Sequence, residues 1–251
     1  MGVVKYHEGR FPPRELDWQR LLPLIGPANA AVARYDGVLH GIPNAQVLLS
    51  PLTVQEAVLS SKIEGTQATI GEVLEFEAIH PFLDGNGRTG RLLVPLFMVD
   101  QKLLGSPDFY ISAYLEARRE EYYERLLAVS RDGDWTGWCA FFLKALTKQA
   151  GDNELKAKAV LDLYGQKKDW ITELTRSQHA IRALDWFFSR PVFKTSDFVR
   201  SAQIPKPTAN RIVRLARDDG LLRELRAGSG RRPAILVFPD LLNIVEGRPV
   251  F

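Results

Sequence analysis

Cysteine is nearly absent from this 251-residue chain. Cys139 stands alone, so no internal disulfide can form, and a reducing cytoplasm is the expected location. It reads as a small core residue in an aromatic stretch. The four histidines are sparse, and His7, His40 and His179 are too scattered to suggest a metal cluster. No apolar run reaches the roughly 18 residues of a membrane span, so no membrane partner is expected. Glu8, Arg10, Arg14, Glu15 and Asp17 break up the start of the chain, which therefore lacks a signal pattern. Internal repeats and low-complexity tracts are missing too. There is no P-loop Gly-Lys-Ser/Thr, and no dinucleotide-type glycine fingerprint follows an expected strand.

What remains is an ordinary globular composition, long enough for one large domain or two small ones. The net charge of +3 hides an asymmetry. Residues 190–251 hold twelve Lys/Arg and six Asp/Glu, whereas the rest of the chain is mildly acidic. A basic end on an acidic body raises nucleic acid as a partner.

Residues 1–30, with Pro12, Pro13, Pro23 and Pro27, read as an extended arm, and 28–40 as a short helix. Residues 51–63 predict a helix with an apolar stripe of Val54, Ala57, Val58 and Leu59, closed by Gly65. Thr69, with Glu72 three residues on, suggests another helix start. A helix to about Leu104 follows the central motif, then one over 110–130 and an aromatic one over 135–148. Gly151-Asp152-Asn153 predicts a break, with further helices over 154–168 and 173–189. The tail reads as a short helix capped by Thr195 or Ser196, a turn at 203–207, a helix over 208–217 ended by Asp219-Gly220, and strands over 221–225 and 234–238. That order outlines a winged helix.

The densest chemistry lies in His80-Pro81-Phe82-Leu83-Asp84-Gly85-Asn86-Gly87-Arg88-Thr89-Gly90-Arg91. Gly85, Asn86 and Gly87 can adopt turns closed to most residues and form an anion nest from backbone N–H groups. Arg88 begins an apolar-periodic run, which places the nest at a helix N-terminus. Arg88 and Arg91, three residues apart, lie on neighbouring parts of one face, and each guanidinium can fork onto a phosphate. Asp84 invites Mg²⁺ beside bound phosphates. His80 can exchange a proton near neutral pH and so deprotonate a hydroxyl. The plain alternative is a surface turn rich in Gly and Asp before a helix.

Residues 80–91 resemble the signature of the Fic family, HPF-x-D/E-GNGR-x-x-R, at every defined position. The family typically transfers AMP from ATP to a hydroxyl of a target protein, and some members remove AMP or transfer other phosphate-containing groups. The resemblance implies that His80 is the general base and that Asp84 holds Mg²⁺. It also implies that Asn86, Gly87 and Arg88 bind ATP phosphates and that Arg91 holds the γ-phosphate. Ser60-Ser61-Lys62-Ile63-Glu64-Gly65 resembles the family's inhibitory motif, S/T-x-x-x-E-G/N. By that likeness Glu64 pairs with Arg91 and removes the clamp from ATP, with Ser60 one turn earlier. The stretches 112–126 and 138–146 are also similar to the family downstream of its motif, and the tail to the winged helix often attached there.

The expected fold is therefore mainly α: a Fic-type helical bundle followed by a small α+β winged helix. The expected segments are an N-terminal part with the inhibitory helix over 1–79, the rest of the core over 80–150, a helical linker over 151–189 and the winged helix over 190–251. One departure is large. Only fourteen residues separate Gly65 from His80, where similar proteins carry core helices and a β-hairpin flap that positions the target. The bundle is expected to be incomplete and to expose part of the apolar surface formed by Leu92, Leu93, Leu96, Phe97 and Val99. Two activities follow as expectations. One is protein adenylylation with ATP and Mg²⁺, impaired by the missing section. The other is DNA binding through Arg211, Arg214 and Arg217 on the second helix of the tail and Arg231 and Arg232 at the wing. For the tail, protein contact or packing is the alternative. The partners admitted are a target protein, DNA and a second copy of the chain.

Overall fold

The computed structural model describes residues 13, 15–63, 85–229 and 232–251, with Asn86 described by its backbone. Among the described residues the fold is mainly α with one three-stranded sheet. It divides into two units. One comprises the described residues up to His40 together with Glu56–Glu154, and the other comprises Gly41–Gln55 and Leu155–Phe251. Among the described residues, no helix is long and apolar enough to cross a membrane.

The first unit begins with α1, Trp18–His40. The expected extended arm is helical from residue 18 onward. Pro23 and Pro27 lie one turn apart on its exposed face, so the hydrogen bonds they forfeit are on the solvent side. Leu21, Ala28, Val32, Tyr35 and Leu39 form the opposite, buried stripe. Asp17 caps the start by accepting the Arg20 N–H at 3.1 Å. The Tyr35 hydroxyl donates to the Asp108 carbonyl, and its ring meets Phe109 edge-on at 6.1 Å.

Next along the chain come α2, Ala45–Leu48, which belongs to the second unit, and α3, Ser50–Ile63, whose residues from Glu56 onward belong to the first. The α3 face differs from expectation. Val54 is 60% and Val58 50% exposed, whereas Leu52, Ser60 and Ile63 are buried and Glu56 lies on the same side. That side wins because its polar groups find partners in the protein. The caps expected at Gly65 and Thr69 lie outside the described residues.

The motif helix α4, Asn86–Asp100, stops four residues short of Leu104, and Lys102 just beyond it is left-handed. Its surface is apolar all round, as expected. Met98 is buried, and Leu92, Leu96 and Phe97 are each more than half exposed. The single helix expected over 110–130 is two, α5, Ser112–Ala117, and α6, Arg119–Asp132, broken at Arg118.

The helix expected to break at Gly151-Asp152-Asn153 instead runs unbroken as α7, Trp135–Thr175. Asn153, one of the residues that suggest a turn, is buried and satisfied by partners within α7 and beyond it. Buried Gln149 accepts the Tyr114 N–H at 3.0 Å and donates to Asn153, which donates to the Tyr110 carbonyl at 3.1 Å. At the start of α7, the Gly137 N–H meets the Asp134 carboxylate at 2.8 Å, and a Cβ on Gly137 would collide with that group. An aromatic cluster of Tyr114, Tyr122, Trp138, Phe141 and Phe142 fills the core of this unit.

The second unit holds α8, Ala180–Ser189, then β1, Val192–Lys194, and α9, Thr195–Ser201. These precede α10, Lys206–Asp218, β2, Arg223–Arg226, β3, Ile235–Val237, and α11, Pro239–Glu246. The helix expected from residue 173 starts at Ala180, because left-handed Arg176 ends α7. Neither Thr195 nor Ser196 caps α9; its N-cap is Lys194, without a side-chain bond. Gly220, at φ 86°, turns the chain out of α10. The sheet is antiparallel in the order β1-β3-β2, with a bulge in β2 between Glu224 and Arg226. Strand β1 has no counterpart in the sequence reading. Its Phe193 stacks on Phe187 at 5.5 Å within a cluster that includes Trp186 and Phe198. Burying each such phenylalanine contributes about 1.5–3 kcal/mol.

Candidate active site

Gly85 opens α4 in the left-handed region, at φ 85° and ψ 11°. A Cβ is costly in that conformation, so glycine is the residue that suits it. The Gly85 carbonyl accepts both the backbone N–H of Thr89 at 3.0 Å and its hydroxyl at 2.9 Å. The Arg88 side chain folds back over the glycine, and a Cβ there would approach its Nη2 to 3.2 Å. The first turn of α4 contains no acidic residue. Gly85, Asn86, Gly87 and Arg88 thus share a helix start that presents N–H groups and positive dipole beside a guanidinium. This donor set suits an anion.

Arg91 points elsewhere. It is only 6% exposed. Its Nε donates to Ser60 Oγ at 2.9 Å and its Nη2 to the Ser60 carbonyl at 2.8 Å. Ser60 is itself buried on α3. The structure therefore brings Ser60 and Arg91 together across 31 positions of sequence. His80, Asp84 and Glu64 lie outside the described residues, as does the Asn86 side chain. Among the described residues, no group of three or more His, Cys, Asp or Glu could hold a metal.

Sequence reasoning missed Glu56, Ser112 and Tyr123. One oxygen of Glu56 accepts the Ser112 hydroxyl at 2.7 Å and the N–H groups of Ser112 and Ile111 at 3.1 and 3.3 Å; the other accepts the Ser112 N–H at 3.0 Å. Burial pushes the Glu56 carboxyl above the usual carboxylate range, and the Ser112 and Ile111 bonds and the charge of Arg91 oppose that rise. The Tyr123 hydroxyl donates to the Ile63 carbonyl at 2.6 Å. The available signal was the four-residue spacing of Glu56 and Ser60, which puts both polar groups on one helix face. The Val54 and Val58 pattern masked it.

In the second unit, the arginines of α10 differ from one another. Arg211 donates to the Thr175 carbonyl at 2.9 Å, at the last residue of α7. Arg217 meets Glu224 at 3.4 Å and Asp218 at 3.9 Å. Arg211, Arg214 and Arg217 are all exposed, as are Lys206, Arg223, Arg226 and Arg232. Arg231 lies outside the described residues. Cys139 is half-buried, and burial pushes its thiol up, away from reactivity.

Residues 22–85 match the family model described as Fic/DOC family N-terminal. The match contains α3 with Ser60 and ends on Gly85, before Arg88 and Arg91 of α4.

Proposed function

We propose, from the Fic/DOC N-terminal match as premise, that this chain derives from a protein adenylyltransferase that uses ATP and is held inactive by α3. The observation that carries the reading is the pair of arginines on α4. Arg88 lies over a left-handed glycine at a helix start suited to phosphate, and Arg91 is engaged by Ser60. Arg88 and the N–H groups of the first turn would hold ATP phosphates. Mg²⁺, held by Asp84, would supply charge neutralisation at those phosphates. His80 would take the proton of a target hydroxyl as its oxygen attacks the α-phosphorus, and pyrophosphate would leave. Ser60 and Glu64 together would keep Arg91 from the γ-phosphate. The exposed Leu92, Leu96 and Phe97 support the further reading that a section carrying core helices and a target-positioning flap is missing before His80.

The test is transfer of labelled AMP from ATP, with Mg²⁺, onto the protein or a lysate. In a version carrying the central section, Glu64→Gly should raise transfer, and adding His80→Ala should abolish it. The 251-residue chain should transfer little even with Glu64→Gly, because nothing holds the hydroxyl in place. Robust transfer by the shortened chain would overturn the role given to the missing section, and indifference to Glu64→Gly in the longer version would overturn the inhibitory one.

A second reading rests on the second unit. The order α9, α10, β2, β3 supports a winged helix, and exposed Lys206, Arg214, Arg223, Arg226 and Arg232 favour contact with a phosphate backbone.

A further inference from the structure

Helix α3 is tied at successive turns along one face. Glu56 accepts from the start of α5, Ser60 accepts from Arg91 of α4, and the Ile63 carbonyl accepts from Tyr123 of α6. Only the Glu56 tie carries negative charge. Two backbone N–H groups and one hydroxyl converge on its carboxylate, the arrangement that holds an ionised carboxylate in a dry site. The charge of Arg91 opposes the rise that burial causes in the Glu56 pKa. Removing one charge from a buried environment leaves its opposite less compensated.

We propose that Glu56 is a positioning residue for Arg91: it anchors the helix that presents Ser60, and its charge keeps the guanidinium at Ser60 rather than at a bound phosphate. The nucleotide half of this inference rests on the reading of Arg91 as a triphosphate clamp. Neutralising Glu56 would loosen the hold on Arg91 and lower the repulsion met by an arriving triphosphate. Both effects favour ATP. A glutamine keeps the length and one acceptor oxygen for Ser112, so the substitution removes charge more than shape.

The full chain carries the test. The first readout is solvent exchange of the Arg91 Nε–H by NMR, its signal assigned by its loss in Arg91→Lys. Glu56→Gln should speed that exchange about tenfold. Ser112→Ala removes one bond to Glu56 and keeps the charge, so it should change the exchange far less. A purely structural Glu56 would give the two variants equal effects, and that result, or no acceleration in Glu56→Gln, overturns the proposal. Should Glu56→Gln fail to fold, Ser112→Ala decides: retained protection supports the proposal, and a tenfold loss overturns it. The second readout is affinity for ATP against adenosine. Glu56→Gln should raise the first about tenfold and leave the second unchanged. If Glu64→Gly binds ATP and Glu56→Gln binds it no better than the parent, the nucleotide half of the inference fails and the functional reading stands. If no variant binds ATP while Arg91 exchange still accelerates in Glu56→Gln, the clamp reading fails and the positioning role stands.

Discussion

Helices α4 and α10 each carry arginines at three-residue spacing, Arg88 and Arg91 on one and Arg211, Arg214 and Arg217 on the other, and the structure treats them in opposite ways. On α4 the second arginine is buried against Ser60. On α10 the middle arginine faces solvent, and its neighbours rest on a helix end and on two surface carboxylates. Spacing decides which residues share a face. Whether that face turns inward depends on the rest of the helix, and α4 is apolar on every side whereas α10 buries one stripe of Ala209, Ile212, Val213 and Ala216.

The largest expected contrast is between single arginines. Arg91→Ala leaves the Ser60 hydroxyl and carbonyl without these donors and should cost about 3 kcal/mol. Arg214→Ala should cost ~0.5 kcal/mol or less. Urea unfolding midpoints at unchanged slope measure both. Equal losses would erase the distinction between the buried and the solvated helix.

Glycines at the helix ends give a smaller contrast. Gly85 and Gly220 share a left-handed backbone, at φ 85° and φ 86°. Alanine at either should cost about 1–2 kcal/mol in backbone strain. The Gly85 variant should lose about 0.5 kcal/mol more, because its Cβ meets Arg88 whereas nothing lies within 4 Å at Gly220. Thermal melts of the two variants side by side check this. Identical melts would mean that Arg88 swings aside without cost.

The smallest effects separate the flanking arginines of α10. Arg211→Ala removes a donor from a buried carbonyl and should cost ~1 kcal/mol. Arg217→Ala breaks exposed ion pairs and should cost ~0–0.5 kcal/mol. For duplex binding at low salt, Arg214→Ala should weaken the complex more than Arg211→Ala or Arg217→Ala does, and all binding should fade as salt rises. If all three substitutions weaken it alike, Arg211 and Arg217 leave their internal partners on binding.

Much of the second unit was legible in the sequence because local chemistry and fold agree there. Asp219-Gly220 ends a helix with a clear apolar stripe, and the two strands expected after it are found at Arg223–Arg226 and Ile235–Val237. The first unit was harder wherever long-range partners override local signals. Gly151-Asp152-Asn153 carries the composition of a turn, yet Asn153 is consumed by a bond to the Tyr110 carbonyl that no local pattern reveals. Pro23 and Pro27 read as helix breakers, but their spacing puts both on the side where a lost bond costs least. The polar face of α3 was hidden because its value lies in residues of α4, α5 and α6. At the site, Gly85 and the arginines were legible as a motif, while Glu56 was not, since the Val54 and Val58 pattern outweighed its four-residue spacing from Ser60.

Strand β2 has a consequence for solubility. It forms an open side of the sheet, where an unpaired backbone can template a foreign strand. Arg223, Glu224 and Arg226 are all exposed along its few residues, and the bulge after Glu224 twists the run out of register. A second molecule attempting to extend the sheet there would have to desolvate three charges and match an irregular ladder. The protein can therefore carry exposed Leu225 in its most strand-like segment without that segment becoming a seed for fibres.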